Sequence, residues 1–195
     1  MGDWVAVARG NKPLEYVCKP AVMLALVLVA VALDPTHDGR RTWFVVALVL
    51  SMSGDIFLML PRDLFVAGLA SFLLAHVAYV AGFRMHGGSA AAWALSAVGV
   101  LVVDAILARP VVAAVRRDHP DLMGPVVAYM VVISAMVSAA AATGVALAVA
   151  GAVLFFASDT LIAWNRFVRA RPWMPLAIII TYHLGQAGLV VSLAR

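Results

Sequence analysis

Apolar residues in this chain neither alternate with polar ones nor recur as a single helical stripe; they run on without a break. Seven stretches, roughly residues 20–33, 42–60, 64–83, 89–108, 122–142, 144–164 and 173–194, are almost continuously apolar. Most approach the ~20 residues that carry an α-helix across a bilayer, whereas a membrane β-barrel shows short alternating segments. The pattern predicts an all-α polytopic transmembrane bundle of about seven helices. The first stretch is short and is expected to borrow residues from 14–19 or to lie tilted.

Breakers punctuate the runs. Asp34-Pro35 ends the first, Pro61-Arg62-Asp63 joins the second to the third, and Gly87-Gly88-Ser89 precedes the fourth. Ala142-Thr143-Gly144 leaves hardly any loop between the fifth and sixth, so those helices are expected to be antiparallel neighbours. The longest link, residues 109–121, opens on Pro110-Val111-Val112-Ala113-Ala114-Val115, which is expected to lie as an interfacial helix. No linker divides the chain. One integral membrane domain is expected over 1–195, with 1–18 as a polar N-terminal segment and 19–195 as the bundle. Residues 1–18 lack the apolar core and small-residue site of a cleavable signal.

A weak internal repeat is visible. Pro20 and Pro125 each open a segment (125 − 20 = 105), Asp55 and Asp159 each come late in one (159 − 55 = 104), and His76 and His183 sit mid-segment (183 − 76 = 107). Segments one to three would then match segments five to seven as a parallel repeat.

Composition agrees with a membrane protein. The 195 residues are 65% hydrophobic and only 12% charged, too apolar for one small soluble core, and the mean hydropathy is +1.01. A single cysteine, Cys18, excludes an internal disulfide and a cysteine-based metal site. The net charge of +4 suits contact with anionic lipid headgroups. No basic patch is interleaved with aromatics, so nucleic acid is not an expected partner. Loops on the N-terminal side hold Arg9, Lys12, Lys19, Arg62, Arg109, Arg116, Arg117, Arg166, Arg169 and Arg171, ten cations, against Arg40, Arg41, Arg84 and Arg195, four, on the other. The positive-inside rule then puts the N-terminus in the cytoplasm. Ala-, Val- and Arg-rich usage suggests a high-GC bacterium and hence its inner membrane.

Against this background two carboxylates stand out. Asp55, in Ser51-Met52-Ser53-Gly54-Asp55-Ile56-Phe57, and Asp159, in Phe155-Phe156-Ala157-Ser158-Asp159-Thr160, lie within apolar runs, where a charge is costly and usually functional. Each comes five residues before the end of a segment running toward the N-terminal side, on the order of 8 Å below that boundary at ~1.5 Å per residue. Equal depth on parallel helices allows a shared cavity, in which two carboxyls can divide into acid and base. Asp104 has no polar neighbour in sequence and is expected at the interface, paired with Arg109. His76 and Tyr79 share a helix face, as do Tyr182 and Gln186, while His183 and Gln186 are three residues apart. These five, joined by Tyr129, are expected to line a wet or headgroup-binding cavity. Lys19 and Asn165-Arg166 sit at its rim, where cations can hold a phosphate.

Other chemistries find no support. Lys12 and Lys19 are the only lysines, so no lysine lies in the last helices for a retinal. Gly-x-Gly-Asp, Gly-x-Ser-x-Gly and His-Glu-x-x-His are absent, and the only glutamate is Glu15. No metal or cofactor is expected. Two further classes fit buried carboxylates: a proton-coupled small-molecule or lipid transporter, and a non-catalytic scaffold in which the two Asp are far apart.

The ordered set Lys19-Pro20, Ser53-Gly54-Asp55 with Phe57-Leu58-Met59, Phe65, Gly68, Phe72, His76 and Tyr79 resembles the YhhN family of lysoplasmalogenase-like membrane proteins. So do Pro125 and Tyr129, Phe155-Phe156-Ala157-Ser158-Asp159 with Arg166-Phe167, and Tyr182 with Gln186. The resemblance covers the chain from Lys19 onward. Family members usually have about eight membrane helices, one of them before Lys-Pro. Residues 1–18 depart from this, so either that helix is lost or the start was placed late. The resemblance implies hydrolysis of the vinyl ether bond of lysoplasmalogen, or of another lysophospholipid or ether lipid, to a fatty aldehyde and a glycerophospho-alcohol. Asp55 and Asp159 would be the catalytic pair, with the acid and base roles open between them.

Overall fold

A computed structural model describes residues 2–35, 38–87 and 89–195. Its helices are α1 (Gly2–Ala8), α2 (Lys12–Ala32), α3 (Asp38–Met59), α4 (Phe65–Arg84), α5 (Ala90–Asp118), α6 (Met123–Ala142), α7 (Ala146–Ala163) and α8 (Met174–Val191). No strand occurs among the described residues. Seven helices, all but α1, are long and apolar enough to cross a membrane. Gly88, in the expected turn before α5, lies outside the described residues.

Local chemistry sets the ends. The Asn11 side chain caps α2 by accepting from the Leu14 amide at 3.1 Å, and the helix therefore begins at Lys12 rather than at the apolar edge. Leu33 turns to extended backbone and ends α2 ahead of Asp34-Pro35. Ser89 caps α5 through the Ala92 amide at 3.1 Å. Gly144 takes φ +69° in the tight turn between α6 and α7, a conformation open to glycine at no steric cost. The last turn of α7 widens into a π-helical segment, Trp164–Val168.

Residues 110–115 depart from expectation. They do not lie apart at the interface but continue α5 to Asp118, with Pro110 inside the helix. Val111, Ala114 and Val115 are buried with Phe65, Val126 and Phe167 in a second small core. Burying that apolar face under the bundle outweighs the one backbone bond that proline removes.

The closest packing joins α3 to α4 and α7 to α8. In the second pair the backbones touch. A Cβ on Gly151 would stand 2.6 Å from the Leu189 nitrogen, and one on Gly185 would stand 2.8 Å from the Phe155 nitrogen. Small residues at a membrane helix crossing allow this approach. In the first pair Gly54 receives the ring of Phe72 and Gly82 that of Phe44. The main core, with Phe44, Phe72, Tyr79, Phe155, Tyr182 and Leu189, fills the seam between these helices. At the far end from the N-terminus, fully buried Arg40 donates to the carbonyls of Arg195 (2.9 Å) and Ser192 (3.2 Å), tying α3 to the end of α8.

Candidate active site

Asp55 and Asp159 open into one cavity of about 470 Å³ at the end of the bundle that carries the N-terminus, together with Lys19, Asn165, Arg166 and Tyr182. Asp55 is 7% exposed, and its Oδ2 accepts the Tyr182 hydroxyl from α8 at 2.7 Å. Behind that bond runs a chain of polar groups. The Tyr79 hydroxyl donates to Gln186 Oε1 at 2.5 Å, and Gln186 Nε2 donates to the Tyr182 oxygen at 3.4 Å. Tyr79 and Gln186 are fully buried. They therefore set the orientation of Tyr182 without reaching the cavity. Each link crosses from one helix to another or climbs one turn of α8, so the chain fixes relative helix positions.

Asp159 has a different setting. The Tyr129 hydroxyl, from α6, donates to its Oδ2. His76 Nε2, from α4, lies 3.9 Å from the same oxygen. His76 Nδ1 stands 2.6 Å from the Phe72 carbonyl, an acceptor, and so must carry the proton. In the neutral ring Nε2 is then a lone pair facing Asp159, and no hydrogen-bond partner meets it. The ring is wedged edge-on between Tyr129 and Phe155.

Of the cations that line the cavity, Lys12, Lys19 and Arg166, Lys19 is the most buried. Its ammonium bonds Glu15 Oε1 at 2.9 Å, while Lys12 bonds the other Glu15 oxygen at 2.9 Å. At the mouth Arg166 bonds Asp63 at 2.9 Å and lies 4.0 Å from the centre of the Phe65 ring. The Arg166 guanidinium beside Asp63 holds that exposed carboxyl below the usual carboxylate range. Asn165 accepts from the Arg171 amide at 3.4 Å, which fixes the chain beyond the π-turn.

The structure thus divides the expected polar set. Tyr182, Lys19 and Asn165 reach the large cavity, Tyr79 and Gln186 stand behind it, and His76 stands behind Asp159. His183 is turned away. One residue past Tyr182, it is rotated ~100° around α8, and its Nδ1 accepts the Trp4 indole N–H at 3.0 Å. Its Nε2 lies 3.7 Å from Asp3, so α1 packs across α8 on this histidine. Asp104 also departs from expectation: it accepts from Ser134 Oγ at 3.0 Å, not from Arg109. Its partner is on α6, thirty positions away, so local sequence gave no sign of it. Asp3 and Trp4 were missed as well; their one signal is that Asp3, Ala6 and Val7 fall on a single helical face. No group of three or more metal-ligating side chains lies close enough to hold an ion among the described residues.

A second, narrow chamber of about 70 Å³ adjoins the cavity. It is lined mostly by apolar side chains of α4 to α7, and Leu58, Phe65, Phe72, Asp159 and Ile162 border both spaces.

The sequence model of the YhhN family matches residues 14–193. The chain is 33% identical to Lysoplasmalogenase TMEM86B of Homo sapiens over 76% of its own length and 62% of that protein's, so it spans about three fifths of this relative. It is 31% identical to Lysoplasmalogenase TMEM86B of Rattus norvegicus, over 91% of this chain and 71% of the relative. With Lysoplasmalogenase of Mycobacterium tuberculosis it shares 32% identity over 87% of this chain and 66% of that protein. No solved structure matches.

Proposed function

The chain belongs to the YhhN family, and on that premise we propose that it is a membrane-embedded lysoplasmalogenase, cleaving an alkenyl ether by acid–base work of Asp159 and Asp55. The observation that carries this reading is the shared cavity, with both carboxylates in its wall and cations at its rim. Hydrolysis of a vinyl ether needs three things: a proton placed on carbon, a stabilised oxocarbenium, and a water to capture it. General acid–base catalysis of this kind is worth ~10²–10⁴ in rate.

Asp159 is the proton donor in this proposal. Among the described residues no lysine or arginine bonds it, and it faces the lone pair of His76, which a protonated carboxyl satisfies. Asp55 shares the cavity with Lys19, whose charge balances its ionised form. Asp159 protonates the alkenyl carbon one removed from the ether oxygen. The carboxylate of Asp55 stabilises the oxocarbenium and takes a proton from the water that adds to it. The hemiacetal collapses to fatty aldehyde and glycerophospho-alcohol, and cavity water returns the proton from Asp55 to Asp159. Lys19 and Arg166, with Asn165, hold the phosphate of the headgroup. The cation-rich end of the bundle, which carries the N-terminus and this cavity, faces the cytoplasm of a bacterial inner membrane.

The test is purified protein in detergent with a lysoplasmalogen, scored by aldehyde release. In D2O the aldehyde gains one deuterium next to its carbonyl carbon. Asp55→Asn and Asp159→Asn each lose most activity while retaining the wild-type elution profile. Full activity in both variants overturns the mechanism. Uptake or scrambling in proteoliposomes without covalent change replaces it by transport.

A further inference from the structure

Asp159 stands in the wall between two spaces of opposite character. The large cavity holds Lys19, Asp55, Asn165 and Arg166; the chamber on its other side is closed by Ala108, Val111, Met130, Ile133 and Phe156. Ala108 and Val111 lie three residues apart on one face of α5, opposite Met130 and Ile133 on α6. Along α6 the lining runs from Val126 to Ile133, about 10 Å at ~1.5 Å per residue. A space this narrow and apolar excludes a hydrated headgroup but accepts a chain one methylene wide. The wall on the α5 side is thin: Leu101, Val102 and Ile106 face outward, at 57%, 57% and 63% exposure, where a bilayer surrounds the bundle.

We infer that this chamber is the subsite for the hydrocarbon chain of an amphiphilic substrate, its first methylenes lying between α5 and α6 while the polar half occupies the larger cavity. The inference rests on the hydrolase reading above. It follows from the placement of Asp159. A bond that reacts at this carboxyl joins a polar half to an apolar half, and the two spaces that meet there match those halves. A tail that comes from lipid gains little from burial as such, so the chamber selects by shape: its length and width set how many methylenes fit behind Asp159. Asp104, bonded to Ser134 at 3.0 Å in the same lining, marks the chamber's polar boundary on α5. The rest of the tail leaves past the outward face of α5 into lipid.

The experiment fills the chamber with bulk. Ala108→Trp and Val111→Phe are each compared with wild type on a long-chain lysoplasmalogen and on a water-soluble vinyl ether with a chain of three carbons. The expected result is at least a tenfold rise in KM for the long substrate, with the short substrate cut at the wild-type rate. Binding of a non-cleavable long-chain alkyl ether lysolipid, followed by displacement of a fluorescent fatty-acyl probe, weakens in parallel. A second pair, Ala108→Val and Val111→Ala, guards against misfolding by moving the chain-length optimum in opposite directions. If both bulky variants retain the wild-type KM and probe affinity for long chains, the chamber is not the chain subsite. If wild type releases no aldehyde from either substrate yet binds the probe in a manner Ala108→Trp abolishes, the hydrolase reading fails and the chain subsite stands.

Discussion

The Tyr182 hydroxyl on α8 reaches the Asp55 carboxylate on α3 at 2.7 Å, and Gln186 and Tyr79 set its direction from behind. Tyr182→Phe keeps the ring in its edge-on contacts with Phe72 and Phe155 and removes this bond together with the hydroxyl's weaker contacts to Gln186 Nε2 and Met23 Sδ. A hydrogen bond to a charged group is worth ~1.5–3 kcal/mol, so aldehyde release falls about 10- to 100-fold. Steady-state kinetics check this: kcat falls, while KM for the long-chain lysolipid changes little.

His76 offers a second test, because its ring fills space between Tyr129 and Phe155 and also faces Asp159. His76→Gln retains a polar group and His76→Phe retains the ring. Both lower kcat by roughly tenfold or more if the lone pair facing Asp159 positions the acid, as a bond of ~1.4 kcal/mol would require. If packing alone mattered, His76→Phe would be near wild type. The comparison is made on kcat across pH, where a change in the environment of Asp159, which acts in its protonated form, moves the alkaline limb of the profile.

Gly185 and Gly99 are both helical glycines but predict opposite outcomes. A Cβ at Gly185 meets the Phe155 nitrogen at 2.8 Å and the Gly151 oxygen at 3.0 Å, both backbone atoms that cannot yield, whereas nothing lies within 4 Å of one at Gly99. Gly185→Ala loses ~1–3 kcal/mol, as overpacking generally does. Gly99→Ala is neutral or gains up to about 1 kcal/mol from helix propensity. Thermal unfolding in detergent separates the two.

Asp3, on α1 outside the membrane spans, gives a pH prediction. Burial pushes its carboxyl above the usual carboxylate value, while Lys19, Lys12 and the chain's amino terminus oppose the shift and Glu15 adds to it; His183 faces it at 3.7 Å. A carboxyl raised in the docked state favours docking in its neutral form. The docking of α1 is therefore fullest below the unfolded value of ~3.9 and weakens as pH rises through the higher folded value. Hydrogen exchange over residues 2–10 measures it: protection falls with rising pH in wild type and is flat in Asp3→Asn.

Arg40 separates stability from chemistry. It lies fifteen residues before Asp55 on α3, about 22 Å away at ~1.5 Å per residue. Arg40→Ala frees the Ser192 and Arg195 carbonyls and lowers the melting temperature. Activity per folded molecule stays at the wild-type level, as active-site titration against aldehyde release shows.

The sequence made the spans legible because a bilayer requires long uninterrupted apolar runs, and each of the seven begins or ends within one residue of where the pattern placed it. The matched positions of Asp55 and Asp159, each four residues before the end of its helix, were legible for the same reason. What periodicity conveys is the face of one helix; it does not convey which helix stands opposite. Hence His183 was grouped with Gln186 on spacing but turns to Trp4, and Asp104 looked isolated although Ser134 meets it from α6. Pro110 read as a boundary because proline costs a helix one bond, yet burial against Phe65 and Phe167 carries α5 through it.

The glycine contact between α7 and α8 and the ring-in-notch contact between α3 and α4 leave little freedom inside either pair. Asp55 is held from α8 and Asp159 is approached from α4, each carboxyl by a side chain of the opposite pair. A slight rocking of one pair against the other therefore draws Tyr182 off Asp55 and His76 away from Asp159, while Tyr129 on α6, outside both pairs, still holds Asp159. The two carboxyls are anchored unequally: the same motion frees one and leaves the other on its tether.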